Sequence, residues 1–363
     1  MFSNKDKDFY KNFTIAEAIN RIEHNNVTGL YREMDKEGKK HFKSTGIHAE
    51  GNLTIPYKAL VQRDLTVGTD DQGGYTVATN LYAMSFIEML QNAIKVKLMG
   101  ATWIDNLSGE VKIPSQATGA TASWEGENDE NAESSPTFGQ ISLSPNRVGT
   151  YVEVSKQLNV QSSLSIEYLI KQMISSAIAE AIDLAALHGT GSGNQPLGLA
   201  GISGVGSVVG GTNGLAPAWS HIVDLESAVA ENNGIVNDKT CGYLTNSKVR
   251  GKLKEIFVNP TYGERPIWDV SNPREPQLNG YRAEVSNQVS STLTKGSSSG
   301  VCSMIAFGDW SQLIVGMWGG LDLVVDPYTM ATTNKTRITA NAYADVAVRH
   351  PESFAVMLDV LTT

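Results

Sequence analysis

The sequence predicts an α+β protein in which helices pack on antiparallel strands rather than alternating βαβ units. Three observations carry this prediction. Residues Ser165–Leu187 place apolar side chains in one long stripe at helical spacing. Residues 110–150 hold no helical period at all. From Ala283 to Leu358 the chain runs through strand-length apolar segments broken by turns.

Composition sets the outer bounds. The chain has 363 residues, 41% of them hydrophobic, enough to bury a sizeable core. Charged residues make up 18%, below the ~25% usual for soluble domains, and the aliphatic content argues against disorder. A net charge of −9 removes a protein that grips a phosphate backbone or an anionic membrane by charge, since both need clustered Lys and Arg. No stretch approaches the ~18 apolar residues of a membrane-spanning helix. The segment MFSNKDKDFYKNF lacks the apolar core of a signal peptide. Two cysteines, Cys241 and Cys302, make no disulfide framework and fit a reducing cytoplasm. So low a charge over so long a chain suggests that partners cover part of its surface.

The elements follow in order. Residues 1–58 hold ten Lys and Arg against eight Asp and Glu, and are expected to form a solvated amphipathic arm. Within it, Phe13–Ile22 has a short helical face, and Leu30–Phe42 is a second helical run dense in charge. Residues 44–80 read as extended and glycine-punctuated. A helix is expected over Leu81–Met99, stopped by Gly100. A strand at Ala101–Leu107 and a turn at Ser108–Gly109 follow. Two extended arms, Glu110–Gln116 and Phe138–Val148, then flank a polar tip that carries Trp124 and the carboxylates of Glu125, Glu127, Asp129, Glu130 and Glu133. A helix-free loop of this length is uncommon in a compact domain and is usually functional.

The long helix Ser165–Leu187 should act as a spine about 35 Å long at ~1.5 Å per residue, with Ser165 as N-cap and Gly189 as the C′ residue. Helices at Ser220–Asn232 and Ser247–Phe257 flank a strand at Cys241–Leu244. An irregular tract, Asn259–Gly280, holds four of the twelve prolines. Strands are expected at Ala283–Val289, Ser303–Gly308, Leu313–Trp318, Leu321–Pro327, Arg337–Arg349 and Ser353–Leu358, with Thr329–Lys335 as a polar turn.

Motifs for chemistry are weak. Gly189-Thr-Gly-Ser-Gly193 resembles a phosphate cradle in spelling, but it follows a helix C-terminus, where carbonyls repel an anion, and no G-K-[ST] comes after it. Gly296-Ser-Ser-Ser-Gly300 spells a nucleophile elbow but sits in a tract expected to be a flexible loop. The six histidines show no metal-ligand spacing. The acidic tip lacks the alternating ligands of a calcium loop, and a solvated or partner-facing charge patch is the better reading. No catalytic residue, cofactor site or metal site is expected.

From about Gly73 onward the chain resembles the major capsid proteins of tailed bacteriophages with the Hong Kong 97-type fold. The resemblance rests on an ordered series. It begins with GGYTVATNLYAMSFIEMLQNAIKVKLMGATWI, followed by Lys112–Pro114, Trp124–Glu127 and FGQISLSPNRVGTYVEVSKQL. Then come AIDLAALHGTGSGNQPLGL with Asp183, Gly189, Pro196 and Gly198, AFGDWSQLIVGMWGGLDLVVDPY, and RHPESFAVM. It implies an N-terminal arm at 1–74, with a scaffolding-like segment in 1–58, and an extended β-hairpin loop at 111–150. The peripheral domain would comprise 75–110, 151–219 with the spine helix 165–187, and 321–349. The axial domain would comprise 220–320 with a closing strand in 350–363.

Such subunits would form pentamers and hexamers that close into an icosahedral shell around double-stranded DNA. The shell would be a virion part assembled in the host bacterial cytoplasm, with no sequence-specific DNA binding and no membrane. The resemblance leaves room for a portal and a maturation protease as partners. Expected inter-subunit contacts are Trp124, Glu125, Glu127 and Asp129 at the loop tip, and Thr329, Thr332, Asn334 and Lys335 where capsomers meet. Tyr262, Arg265 and Trp268 would serve within a capsomer. Some members weld neighbours through an isopeptide bond from a loop lysine to an asparagine. Between Pro114 and Arg147 this sequence has no lysine, so Asn334 and Asn341 lack a partner and no crosslink is expected. Two other readings are an encapsulin-like nanocompartment shell of the same fold, against which the charged arm argues, and a soluble hydrolase.

Overall fold

The computed structural model describes residues 30–44, 53–55, 94–118, 124, 135, 137–155, 164–235, 239–259, 261, 265–269, 271 and 276–362. Within them the chain is mixed helix and sheet. Helices α1 (Leu30–Ser44), α2 (Lys95–Met99), α3 (Leu164–His188), α4 (Trp219–Ala230) and α5 (Ser247–Glu255) accompany two larger sheets and one two-stranded ribbon.

The first sheet runs β1 (Leu53–Ile55), β12 (Leu313–Asp326), β13 (Lys335–Val348), β5 (Asn146–Ser155), with β2 (Thr102–Leu107) also paired to β12. The second runs β6 (Gly206–Ser207), β14 (Phe354–Leu361), β11 (Ser298–Asp309), β7 (Cys241–Thr245), β9 (Tyr281–Val285), β8 (Gln277–Leu278), with β10 (Leu293–Lys295) on β11. The ribbon is β3 (Val111–Thr118) with β4 (Thr137–Leu143).

Alternation explains β13. Thr336, Ile338, Ala340 and Ala342 are buried, while Arg337, Thr339, Asn341 and Tyr343 are only half-buried, the pattern of a strand with one face on the core. Strands β11 and β14 are apolar and buried over most of their lengths because α4 and neighbouring elements cover them. Most pairings are antiparallel, but β2–β12, β6–β14 and β7–β9 are parallel. The β7–α5–β9 passage is thus a crossover unit inside the second sheet, where only antiparallel packing was expected.

The spine helix α3 lies along the first sheet through Ile170, Ile174, Ile178 and Ile182, all buried. The stripe is narrower than its sequence suggests: of its members, Met173 points outward, 47% exposed, and Ala181 is exposed too. Ser165 does not cap this helix, since Leu164 is already helical. Gly189 is a glycine for closeness rather than for a left-handed cap. A Cβ there would lie 2.1 Å from the Pro196 carbonyl oxygen and 2.5 Å from that of Ala185. By contrast Gly100 does end α2 in the left-handed region, at φ 115°. The expected helix over Leu81–Met99 does not run unbroken: Ile94 is extended at φ −78° and ψ 115°, so α2 begins at Lys95, and residues 81–93 lie outside the described residues.

Four other expectations are corrected. The arm Phe138–Val148 breaks at Ser144–Pro145, because proline has no N–H for a ladder. Its first half stays in the ribbon, and its second half joins the first sheet as β5. The two runs around 313–327 are one strand, β12, which shifts register between Trp318 and Asp322 with Gly319 at φ 66°. Residues 293–309 form a hairpin, not a flexible loop. Helix α1 is not a free solvated element. Met34 is fully buried, Asp35 accepts from the Thr54 N–H at 2.9 Å, and β1 pairs with Leu321–Leu323 of β12.

Candidate contact surfaces

Among the described residues the strands of the β3–β4 ribbon pair only with each other, and an isolated hairpin is marginally stable in water. Its base is therefore secured elsewhere. Leu143, Ile314 and Trp318 form a buried cluster, with Ile104, Leu107, Val111, Ile113, Tyr343 and Ala347 packed against it. The Trp318 indole N–H donates to the Gly109 carbonyl at 2.7 Å, and Gly109 turns the chain at φ 63°. On the other strand, the Asp345 carboxylate accepts from the Ser144 N–H at 2.8 Å, the Asn146 amide at 3.1 Å and the Val346 N–H at 2.9 Å. Burial nevertheless raises its pKa, because the charged form is desolvated. From this base, eight residues at ~3.3 Å each reach about 26 Å. At the tip Trp124 is fully exposed. Glu125, Glu127 and Asp129 lie outside the described residues.

A second surface is the turn between β12 and β13. The Asp326 carboxylate accepts from the Tyr328 N–H at 2.9 Å, the Thr329 N–H at 3.0 Å and the Thr329 hydroxyl. These bonds hold its pKa below the usual carboxylate value. One 3₁₀ turn, Ala331–Thr333, ends at Asn334 with φ 53°, a conformation asparagine tolerates. Thr329, Thr332 and Asn334 are exposed and Lys335 is half-buried. Lys335 and Arg337 both pair with Glu153, at 3.3 and 3.0 Å, and Arg337 also stands 4.9 Å over the Tyr151 ring. These cations lower the Glu153 pKa. The turn also displays Tyr328, 82% exposed. The sequence reading passed over it, although an aromatic residue inside the polar run DPYTM was the available signal.

In the proline-rich tract, Arg265 is exposed and Tyr262 lies outside the described residues. Trp268, expected to serve within a capsomer, is turned into its own chain: it is 2% exposed and packs in the core of the second sheet with Leu253, Ile267 and Leu278, and its backbone N–H donates to the Leu253 carbonyl at 3.1 Å. A large indole in an irregular tract pins that tract to its own chain.

Neither glycine-rich motif makes a reactive site. In the first, the Gly189 N–H donates to the Ala185 carbonyl and the Gly191 N–H to that of Pro196, so both amides are spent within the chain. Ser298 opens a strand and is not projected from a strand–helix elbow. Among the described residues there is no cluster of His, Cys, Asp or Glu that could hold a metal, and no helix long and apolar enough to cross a membrane.

The model of the Phage capsid family matches residues 73–358. Over 350 residues the chain is 32% identical to a protein named major capsid protein from Halomonas phage phiHAP-1, covering 95% of this chain and 54% of that one. The chain thus spans about half the length of this relative. A major capsid protein of Klebsiella oxytoca phage phiKO2 is 23% identical over 319 residues, covering 80% of this chain and 69% of that one. Among solved structures, the capsid of a native GTA particle superposes with a TM-score of 0.54 at 14% identity, covering 80% of this chain and 95% of that one. A structure from Microbacterium phage Oxtober96 gives 0.55 at 14% identity, covering 83% and 96%. The fold is that of these capsid subunits.

Proposed function

The chain belongs to the phage capsid family, and on that premise we propose that it is the subunit of an icosahedral shell, built from pentamers and hexamers, that encloses double-stranded DNA. The observation that carries this reading is the β3–β4 ribbon, fixed at its base by Trp318 and Asp345, together with the fully exposed Trp124 in the segment that links its two strands. A fully exposed indole on a projecting ribbon finds its apolar contact on another molecule.

In this reading the first sheet and α3 form the peripheral domain, and the second sheet forms the axial one. The loop tip lies on an adjacent subunit within a capsomer, and the turn at Thr329–Lys335 meets a neighbouring capsomer. Arg265 and the tract around it face the capsomer axis. The protein performs no chemistry. Its work is lateral association, and the low charge suits surfaces buried many times over. The net charge of −9 fits a wall that contains DNA without gripping it. A portal and a maturation protease complete the partners, and the finished shell is part of the virion, assembled in the bacterial cytoplasm.

The test is the content of particles. Native particles purified after nuclease treatment should yield protected double-stranded DNA. Particles that instead enclose a folded enzyme and no nucleic acid would move the chain to the nanocompartment reading.

A further inference from the structure

The two helices that cover the second sheet carry opposite charge on their outer faces. Both are seated in one apolar cluster, α4 through Ile222, Leu225 and Val229, and α5 through Val249 and Leu253. Outward they differ. Helix α4 and the residue after it hold Asp224, Glu226 and Glu231 and neither Lys nor Arg. Helix α5 holds Lys248, Arg250, Lys252 and Lys254 against Glu255. Part of this charge is used at home. Glu226 accepts from the Tyr281 hydroxyl at 3.0 Å, Lys252 pairs with Glu255 at 3.7 Å, and Arg250 lines a polar pocket with Glu180 and Asp183. That leaves Asp224 and Glu231 on α4, and Lys248 and Lys254 on α5. All four are exposed, and among the described residues no ion pair engages any of them.

Short residues stand between these charges. At about 100° per residue, Gly251 falls midway between Lys248 and Lys254, and Ser227 lies one turn from both Asp224 and Glu231. A Cβ on Gly251 would meet nothing within 4 Å, so the subunit's own packing asks for no glycine there. In an exposed helix interior it costs about 1 kcal/mol against alanine, but a bare backbone admits a second element closely. We infer that the cationic face of α5 in one subunit docks on the acidic face of α4 in a second copy of the chain, Gly251 against Ser227. This rests on the reading of the chain as a self-associating shell subunit and names a contact between its axial domains. A second copy is required because within one subunit the four charges are unpaired. A ring of like subunits needs two different, complementary patches on each, one for either neighbour, and α4 and α5 are separate patches of opposite sign. Complementary charge sets register and suppresses wrong pairings. A phosphate chain fits less well, because Glu255 stands on the exposed face of α5 and would repel it.

Two variants test the contact in full-length protein: Gly251→Cys in one copy and Ser227→Cys in another, mixed and allowed to oxidise. Cys241 and Cys302 are buried and leave a low background. A disulfide band at twice the subunit mass, only when both variants are present, is the expected result. Both substitutions in one chain should give a ladder of higher multiples, as a ring requires. Lys248→Glu with Lys254→Glu should weaken association about tenfold at low salt and less at high salt. Adding Asp224→Lys and Glu231→Lys should restore it. No crosslink between folded variants, or no rescue, overturns the contact. So does a reversal on α5 that lowers packaged DNA while leaving subunit association unchanged, which would assign the face to nucleic acid. A crosslink confined to dimers upholds the contact and refutes the ring, whereas closed particles without it do the reverse.

Discussion

Replacing Trp124 by alanine separates a contact residue from a structural one. In the lone subunit the indole is fully exposed, so its removal should change subunit stability by no more than about 0.5 kcal/mol. In the assembled state it would bury about 150–250 Å². At ~25 cal/mol per Å² that is an upper bound near 4–6 kcal/mol. Alanine retains part of the contact and ordering opposes it, which leaves about 2–4 kcal/mol, the range of a central interface tryptophan. Each contact should therefore weaken roughly 30- to 1,000-fold, at 1.4 kcal/mol per tenfold. Two measurements on one preparation decide the matter: denaturant unfolding of dissociated subunits, and light scattering of reassembly against protein concentration. The expected pair of results is an unchanged unfolding midpoint with assembly displaced to much higher concentration. A clear loss of subunit stability would place Trp124 inside its own chain. Unchanged assembly would show that the tip touches nothing.

The remaining predictions concern the loop base, a buried acid and covalent linkage. Trp318→Ala removes a fully buried indole and its bond to Gly109, and should cost the subunit about 3–5 kcal/mol by denaturant midpoint; a loss below about 1 kcal/mol would contradict the cluster's role. Asp183, 2% exposed, accepts from the Lys95 and Val96 N–H groups at 2.8 and 3.1 Å, yet burial outweighs these bonds and lifts its pKa from 3.8 to about 6. The folded chain then holds this proton more tightly than the unfolded one, so the stability of wild type relative to Asp183→Asn should fall by roughly 3 kcal/mol in all as pH rises from about 3 to about 7, about 2 kcal/mol of it between about 4 and about 6. A difference that stays flat or rises over that window would refute it. Intact particles boiled in denaturant should collapse to one band at 39.1 kDa, and a ladder of higher bands would reveal the crosslinks that the lysine-free loop argues against.

Much of the fold could be read from the sequence because local pattern and burial agree. The isoleucine spacing of α3, the alternation in β13 and the left-handed Gly100 each have one physical solution. What sequence could not supply are partners distant along the chain. Residues 110–116 and 138–143 read correctly as extended, and Pro145 is a local signal for the break, yet nothing local names β13 as the strand that Asn146 onward joins. The charges of α1 spelled a solvated arm, and only the pairing of Leu53 with Leu323 turns Met34 inward. Trp268 shows the converse. In an irregular, proline-rich tract its indole suggested a surface anchor, but apolar packing with Leu253, Ile267 and Leu278 turns it into the second core, while its backbone N–H bonds the Leu253 carbonyl. The turn residues at 329–335 were legible because Asp, Thr and Asn make their bonds within a few positions. Tyr328 was missed because turn chemistry does not explain it.

Negative-stain electron microscopy of the expressed full-length chain tests the central claim most directly. Uniform, closed, hollow shells are the predicted outcome. A chain that gives only monomers and small open oligomers, across the salt and concentration range in which its unfolding shows it to be folded, would contradict the account.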